Sequence, residues 1–160
     1  MPKIAVAEAW SSSFYQSRSY APDAFHAAKL IDGDKEFGGW LSAVGKWRDA
    51  WIEFRFARPA HLASVEICTG FIDKEQAQKR DEYYFHLRPK DVAVQFAGPG
   101  RPEAALVLED IKEPQVFALE SGGLVTGALL IVRTVYDASP QGAIKPFDVV
   151  GLRHVEWQDR

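Results

Sequence analysis

The sequence predicts an all-β fold, a jelly-roll β-sandwich with one or two short helices. Three observations carry that reading. Short segments with strand-like alternation or continuous apolar character recur along the chain. Turn-forming Pro and Gly clusters separate them. No series of long helices alternates with the strands, as a parallel α/β sheet requires. The chain has 160 residues, 47% of them hydrophobic, with five tryptophans. That suffices for one domain with its own core. Neither an internal repeat nor a low-complexity linker divides it, so residues 1–160 read as a single domain.

The first residues, Met1-Pro2-Lys3-Ile4-Ala5-Val6-Ala7, hold one basic side chain and an apolar run too short for a signal peptide. No stretch approaches the ~20 apolar residues that span a bilayer. A cytoplasmic protein, or one domain of a larger exported one, is the expectation. Asp23 to Ile31 predicts a helix, with Pro22 and Asp23 as its start signal. Asp32-Gly33-Asp34 follows as a tight turn, because Gly33 accepts positive φ and aspartates bond their own backbone. Trp51 to Phe56 alternates apolar and charged residues as a half-buried strand does, and His61 to Thr69 and Lys90 to Phe96 continue the pattern. Between the last two, Asp73 to Tyr83 reads as a short helix or a long exposed loop. Leu106–Leu108, Gln115–Leu119, Ala128–Val135 and Val149–Trp157 complete the strands. The longest apolar run, Leu124 to Val132, reads as a buried strand. Arg58-Pro59, Gly98-Pro99-Gly100-Arg101-Pro102, Glu113-Pro114 and Ser121-Gly122-Gly123 are turns.

Trp40, Trp51 and Trp157 are the expected core anchors, each set in strand-like or turn-then-strand sequence. Trp47 lies among charges in Gly45-Lys46-Trp47-Arg48-Asp49 and either is displayed for binding or caps one end of the sandwich. Cys68 is the only cysteine, so no intrachain disulfide and no cysteine-based zinc site can form. Inside an alternating strand it reads as a buried small hydrophobe.

Net charge of −3 and a pI near 5.8 exclude a general affinity for nucleic acid or anionic membranes. Catalytic chemistry has no recognisable pattern either. His26, His61, His86 and His154 lack metal-ligand spacing, and Ser11 to Ser13 lack a nucleophile elbow. Asp32 and Asp34 point apart in a tight turn and have no acid partner. No phosphate-cradling glycine loop precedes a helix.

Leu30 to Ser42, with its acidic turn and Trp40, followed by the strand Trp51 to Phe56, resembles the front end of discoidin-like, galactose-binding-type β-sandwich domains. Thr69-Gly70-Phe71 and His86-Leu87-Arg88-Pro89-Lys90 are similar, in order and spacing, to segments of the glycan-binding domain attached to bacterial NAD-glycohydrolase toxins. There an Asn-Gly-Tyr-like turn is followed by Asn-x-Arg-Pro-Lys, so Phe71 and His86 are departures. With Thr134-Val135-Tyr136 near the end, the resemblance covers about residues 10 to 157.

The resemblance implies a non-catalytic recognition module, not an enzyme, whose loops at one end of the sandwich bind carbohydrate. Candidate ligand-binding residues are Trp47, Arg48, Phe71, Tyr83, Tyr84, His86 and Arg88, since sugars are held by aromatic faces together with charged or amide hydrogen-bonding groups. The plainer reading pairs Arg88 with Asp91 or Glu82 and places two of Tyr83, Tyr84 and Phe85 in the core. Tyr136 to Gly142 resembles the family's Tyr-Pro-Gly loop and reads as a turn with nothing bound. The resemblance also implies calcium at the acidic turn, held by the carbonyl of Lys29, the carboxylate of Asp32 and the carbonyl of Asp34. Phe37 and Gly151 stand where the family has a hydroxyl residue and a Glu, and losing those oxygens favours a metal-free turn. The same scaffold also serves as an intracellular protein-interaction or adaptor domain, the rival to a carbohydrate partner.

Overall fold

The computed structural model describes residues 2–79, 81–98, 103–139 and 148–160. Among these residues eleven strands form: β1 (Val6–Ser11), β2 (Trp40–Leu41), β3 (Trp51–Ala60), β4 (Leu62–Thr69), β5 (Arg88–Pro89), β6 (Asp91–Phe96), β7 (Ala104–Val107), β8 (Gln115–Ala118), β9 (Val125–Val132), β10 (Val135–Tyr136) and β11 (Gly151–Asp159). A five-stranded antiparallel sheet, ordered β1-β3-β9-β6-β7, faces a four-stranded one ordered β2-β11-β4-β8, and β10 pairs with β5 at the end. The predicted β-sandwich is what the chain forms.

Strand β3 shows why. Ile52, Phe54 and Phe56 are buried while Trp51, Glu53 and Arg55 face outward, so alternation alone sets one face against the other sheet. Strand β11 supplies Leu152, Val155 and Trp157 from the opposite side. A register shift between Leu152 and His154 changes the inward set from even to odd positions. The layers meet where Phe54 packs edge-on against Trp157 at 5.3 Å. Each such large side chain contributes roughly 1.5–3 kcal/mol when fully buried.

Trp40 and Trp157 are fully buried, as predicted, and the Trp40 indole N–H donates to Ser13 O at 2.9 Å. Trp51 corrects its expectation. It occupies an outward position of β3 and is 36% exposed, because Ile52 and Phe54 take the core side. The helix predicted over Asp23 to Ile31 is only a 3-10 turn, Ala27–Ile31, capped by His26 Nδ1 accepting from Ala28 N–H. Burial of Ala27 and Leu30 anchors it without a longer amphipathic face. The 73–83 segment holds a 3-10 turn at Gln76–Gln78 and runs into a single α-turn, α1 (Glu82–Phe85). Cys68 is buried. The turns read at Pro99 to Pro102 and at Pro140 to Gly142 lie outside the described residues.

Antiparallel pairing brings the start of β3, the end of β9, the start of β6 and the start of β11 to one end of the sandwich. Loops 42–50, 70–87, 108–114 and 133–139 therefore gather there, carrying every candidate ligand residue except Arg88, which stands on β5.

Candidate functional site

Arg88 is the centre of this end, and it is interior: only 3% of it is exposed. The residues after α1 run extended into β5, whose pairing with β10 fixes Tyr136 opposite Arg88. The guanidinium makes a bidentate pair with Asp110, Nε to Oδ1 at 2.9 Å and Nη2 to Oδ2 at 2.8 Å. Its Nη1 donates to the carbonyls of His86 at 3.0 Å and Asp137 at 2.9 Å. Three loops are thus tied to one planar group. Its rings are close as well, with Cζ 5.4 Å from the Tyr83 centroid and 5.0 Å from that of Tyr84.

Tyr83 is equally enclosed. Its hydroxyl lies 3.0 Å from Asp110 Oδ1, Ile111 O and Thr69 Oγ1. Burial pushes this phenol up, so it stays a neutral donor across the physiological range. The hydrogen bonds from Arg88 hold the Asp110 carboxyl below the usual carboxylate range, against an opposing effect of burial. The ion pair is charged and desolvated on the arginine side, while the carboxylate keeps part of its surface in solvent.

Phe71 and His86 form a second enclosed group. Phe71 packs edge-on against Phe25 and His86, at 5.4 Å in each case, and His86 meets Phe85 at 5.2 Å. His86 Nδ1 lies 3.3 Å from Glu82 O. With Leu41 and Val149, Phe25 and Phe71 make a small satellite core.

Phe71, Tyr83, His86 and Arg88 are therefore buried, which corrects the expectation that a loop displays them. The alternative partners expected for Arg88 are corrected too: it pairs with Asp110, not with Asp91 or Glu82. What this end presents to solvent is Tyr84, 36% exposed and set at 89° to the Tyr83 ring, 5.0 Å away. Trp47 is half-buried against the core, and exposed Arg48 stacks 4.8 Å over its ring. That loop is held by Asp49, in the left-handed region at φ 57, which accepts from Arg133 Nη1 at 2.8 Å. Next to Tyr83 lies a cleft of about 320 Å³ between Ile72, Asp81, Glu82 and Lys112. Lys90 stands 5.6 Å over the Tyr136 ring, whose hydroxyl donates to Leu108 O at 2.8 Å.

Sequence reasoning missed Asp110 and Arg153. Arg153 is 3% exposed and spends its guanidinium on carbonyls: Thr69 O and Lys35 O, each at 3.0 Å, and Lys112 O. Burial pushes its pKa down. These bonds bear on the acidic turn, where Gly33 has φ 87. Asp32 Oδ1 accepts from Asp34 N–H at 2.9 Å, and Asp34 Oδ1 accepts from the Glu36 and Phe37 N–H groups at 2.9 Å each. Both carboxylates cap the turn itself.

These residues do not fit a calcium cage. An ideal Cβ on Gly151 would lie 2.7 Å from Phe71 Cβ, so no Glu can stand there to close one. Lys35, next to Asp34, gives its carbonyl to a permanent cation, and a second cation beside it is repelled. Among the described residues no group of three or more His, Cys, Asp or Glu side chains is arranged to hold a metal. Lys29, Asp32 and Asp34 are read as the parts of a turn, with Arg153 as the charge that ties it down.

Two antiparallel sheets packed face to face are what the comparison with solved structures matches. The fold is that of F5/8 type C domains and family 32 carbohydrate-binding modules. The F5/8 type C domain of a Bacteroides fragilis protein superposes with a TM-score of 0.61 at 12% identity, covering 98% of this chain and 97% of that one. The family 32 module of Clostridium perfringens NanJ, solved in complex with galactose, gives 0.62 at 10% identity, with 98% of each chain covered. The mycobacterial arabinofuranosyltransferase AftD gives 0.67 at 13% identity, over 99% of this chain and 11% of that one. No family model and no curated protein sequence matches this chain. Among the described residues, no helix is long and apolar enough to cross a membrane.

Proposed function

We propose that this domain is a non-catalytic carbohydrate-recognition module that holds its glycan at the loop end of the sandwich. The observation that carries the reading is the setting of Tyr84. A half-exposed ring stands perpendicular to Tyr83 and against a guanidinium whose bonds to Asp110, His86 and Asp137 leave it no freedom to move. A rigid aromatic face costs little entropy when a sugar packs on it. Trp47 and Arg48 add an aromatic and a charged donor on the neighbouring loop.

The fold shared with modules solved with bound sugar supports the ligand class. The interior residues have a role in this reading, since Arg88, Tyr83, Phe71 and His86 hold the surface ring and the loops in place. A glycan array on the purified domain, with and without calcium, tests it. Binding that Tyr84→Ala weakens, at unchanged thermal stability, supports the reading. An array silent across neutral and acidic glycans removes it.

A further inference from the structure

We propose that the outer face of the five-stranded sheet is a second carbohydrate-binding surface, an open trough across β3, β9 and β6 that takes a neutral oligosaccharide. Its shape follows from register. Trp51, Glu53 and Arg55 project outward at successive alternate positions of β3, about 7 Å apart along the strand. Glu53 pairs with Leu129 on β9, and Leu129 pairs with Gln95 on β6, so these three side chains stand in one row across the sheet. In the next row Arg55 faces Gly127. A Cβ built on Gly127 would fall 2.4 Å from Phe54 O, so the residue has to be glycine and the floor drops there. Trp51 closes the other end, 36% exposed, with its backbone N–H held by Ser12 Oγ at 3.0 Å. The trough has a volume of about 470 Å³, within the roughly 300–1,000 Å³ of small-molecule clefts.

The side chains select the occupant. Arg55 is engaged by Glu8 at 2.7 Å, which cancels the charge that would draw an anion. Glu53 has no ion-pair partner among the described residues. Its acceptor-only carboxylate repels acidic ligands and receives hydroxyl donors. Gln95, one row-mate away, both donates and accepts. Trp51 offers an apolar face for sugar C–H groups, and Trp10, opposite Glu53 on β1 and 53% exposed, extends the rim. A protein partner needs a desolvated centre poor in charge, whereas the middle of this face is a carboxylate and an amide. The observations differ from those behind the loop-end reading, and neither site depends on the other.

The test is a titration of the labelled domain with neutral hexasaccharides of glucose, mannose, xylose and galactose, followed by NMR and calorimetry. The expected result is that one of them moves the Trp51 indole resonance and the amides of Glu53, Gln95 and Gly127. Trp51→Ala and Gln95→Ala then each weaken binding by about tenfold or more, while Tyr84→Ala does not. Gln95 is exposed, so its variant keeps the test valid if Trp51→Ala fails to fold. Loss of binding in Tyr84→Ala alone overturns the trough and leaves the loop end standing; loss in the trough variants alone supports the trough, and the loop end is then decided separately by the glycan array with Tyr84→Ala. Resonances that stay put with every hexasaccharide at millimolar concentration overturn the trough, as does a dimer in sedimentation whose formation shifts the amides of Glu53, Gln95 and Gly127.

Discussion

Arg88 and Asp110, 22 residues apart in sequence, meet through two parallel hydrogen bonds of 2.9 and 2.8 Å and join strand β5 to the loop before β8. The arginine is buried, while the carboxylate side chain keeps 27% of its surface in contact with solvent. A pair of this kind is costly to break from one side, because the remaining charge and the carbonyls of His86 and Asp137 lose their partner.

Arg88→Ala is expected to destabilise the domain by about 2–3 kcal/mol, below the value for a fully buried pair because Asp110 retains some solvent. Urea unfolding measures this. The paired variant Arg88→Met with Asp110→Leu should recover much of the loss. If Arg88→Ala unfolds like the parent, the guanidinium is not what holds these loops.

Tyr83 and Tyr84 should separate stability from recognition. Tyr83→Phe removes a buried hydroxyl with three neighbours and should cost about 1–2 kcal/mol. Tyr84→Ala should change the unfolding free energy far less and weaken glycan binding by about tenfold or more. Calorimetry of both variants on one glycan distinguishes them, and equal effects on both quantities would contradict the division of labour.

Acid should weaken the domain in two steps. His154 is 1% exposed, neither ring nitrogen is hydrogen-bonded among the described residues, and Glu156 at 3.5 Å is too distant to compensate. Burial lowers its pKa below the ordinary 6.5. The unfolded chain then binds the proton first, so stability is full above 6.5 and falls as pH drops through that value. Asp110, held below its ordinary 3.8 by Arg88, adds a further loss at lower pH, below that value. Unfolding free energies measured from pH 8 to pH 3 should show both slopes, and His154→Leu should remove only the upper one.

Calcium should leave the domain unchanged. A structural ion at a hundred times its dissociation constant would add about 2.7 kcal/mol, an easily measured rise in the unfolding midpoint. Millimolar calcium and a chelator should give the same midpoint. Arg153→Met, which frees the carbonyls of Thr69, Lys35 and Lys112, should lower it in both conditions. A calcium-dependent rise in the parent would overturn the assignment of the acidic turn to Arg153.

Much of the fold was legible because period-two alternation needs no partner to be read. Strand β3 is the clearest case, and the same alternation that buries Phe54 sends Trp51 outward; the size of the indole argued for the core, and register overruled it. Strand β1 escaped because Val-Ala-Glu-Ala-Trp-Ser carries small and exposed residues on an edge, where packing asks little. At the loop end, residue type pointed to segments that do meet at one end of the sandwich, but not to the side of the surface. Arg88 looked displayed because its partner lies in a stretch with no signature, and a long-range ion pair leaves no local trace. The trough was unreadable for the same reason, since Glu53, Leu129 and Gln95 become neighbours only through strand order.

Cys68 offers a way to time the opening of this sandwich. It is fully buried on β4, paired in register with His154 of β11, and it is the chain's only thiol. Alkylating reagents can reach it only when the structure around it opens, so the labelling rate counts openings at this part of the second sheet under native conditions. Ligands held at the loop end should slow that clock to the extent that they brace the surroundings of Cys68.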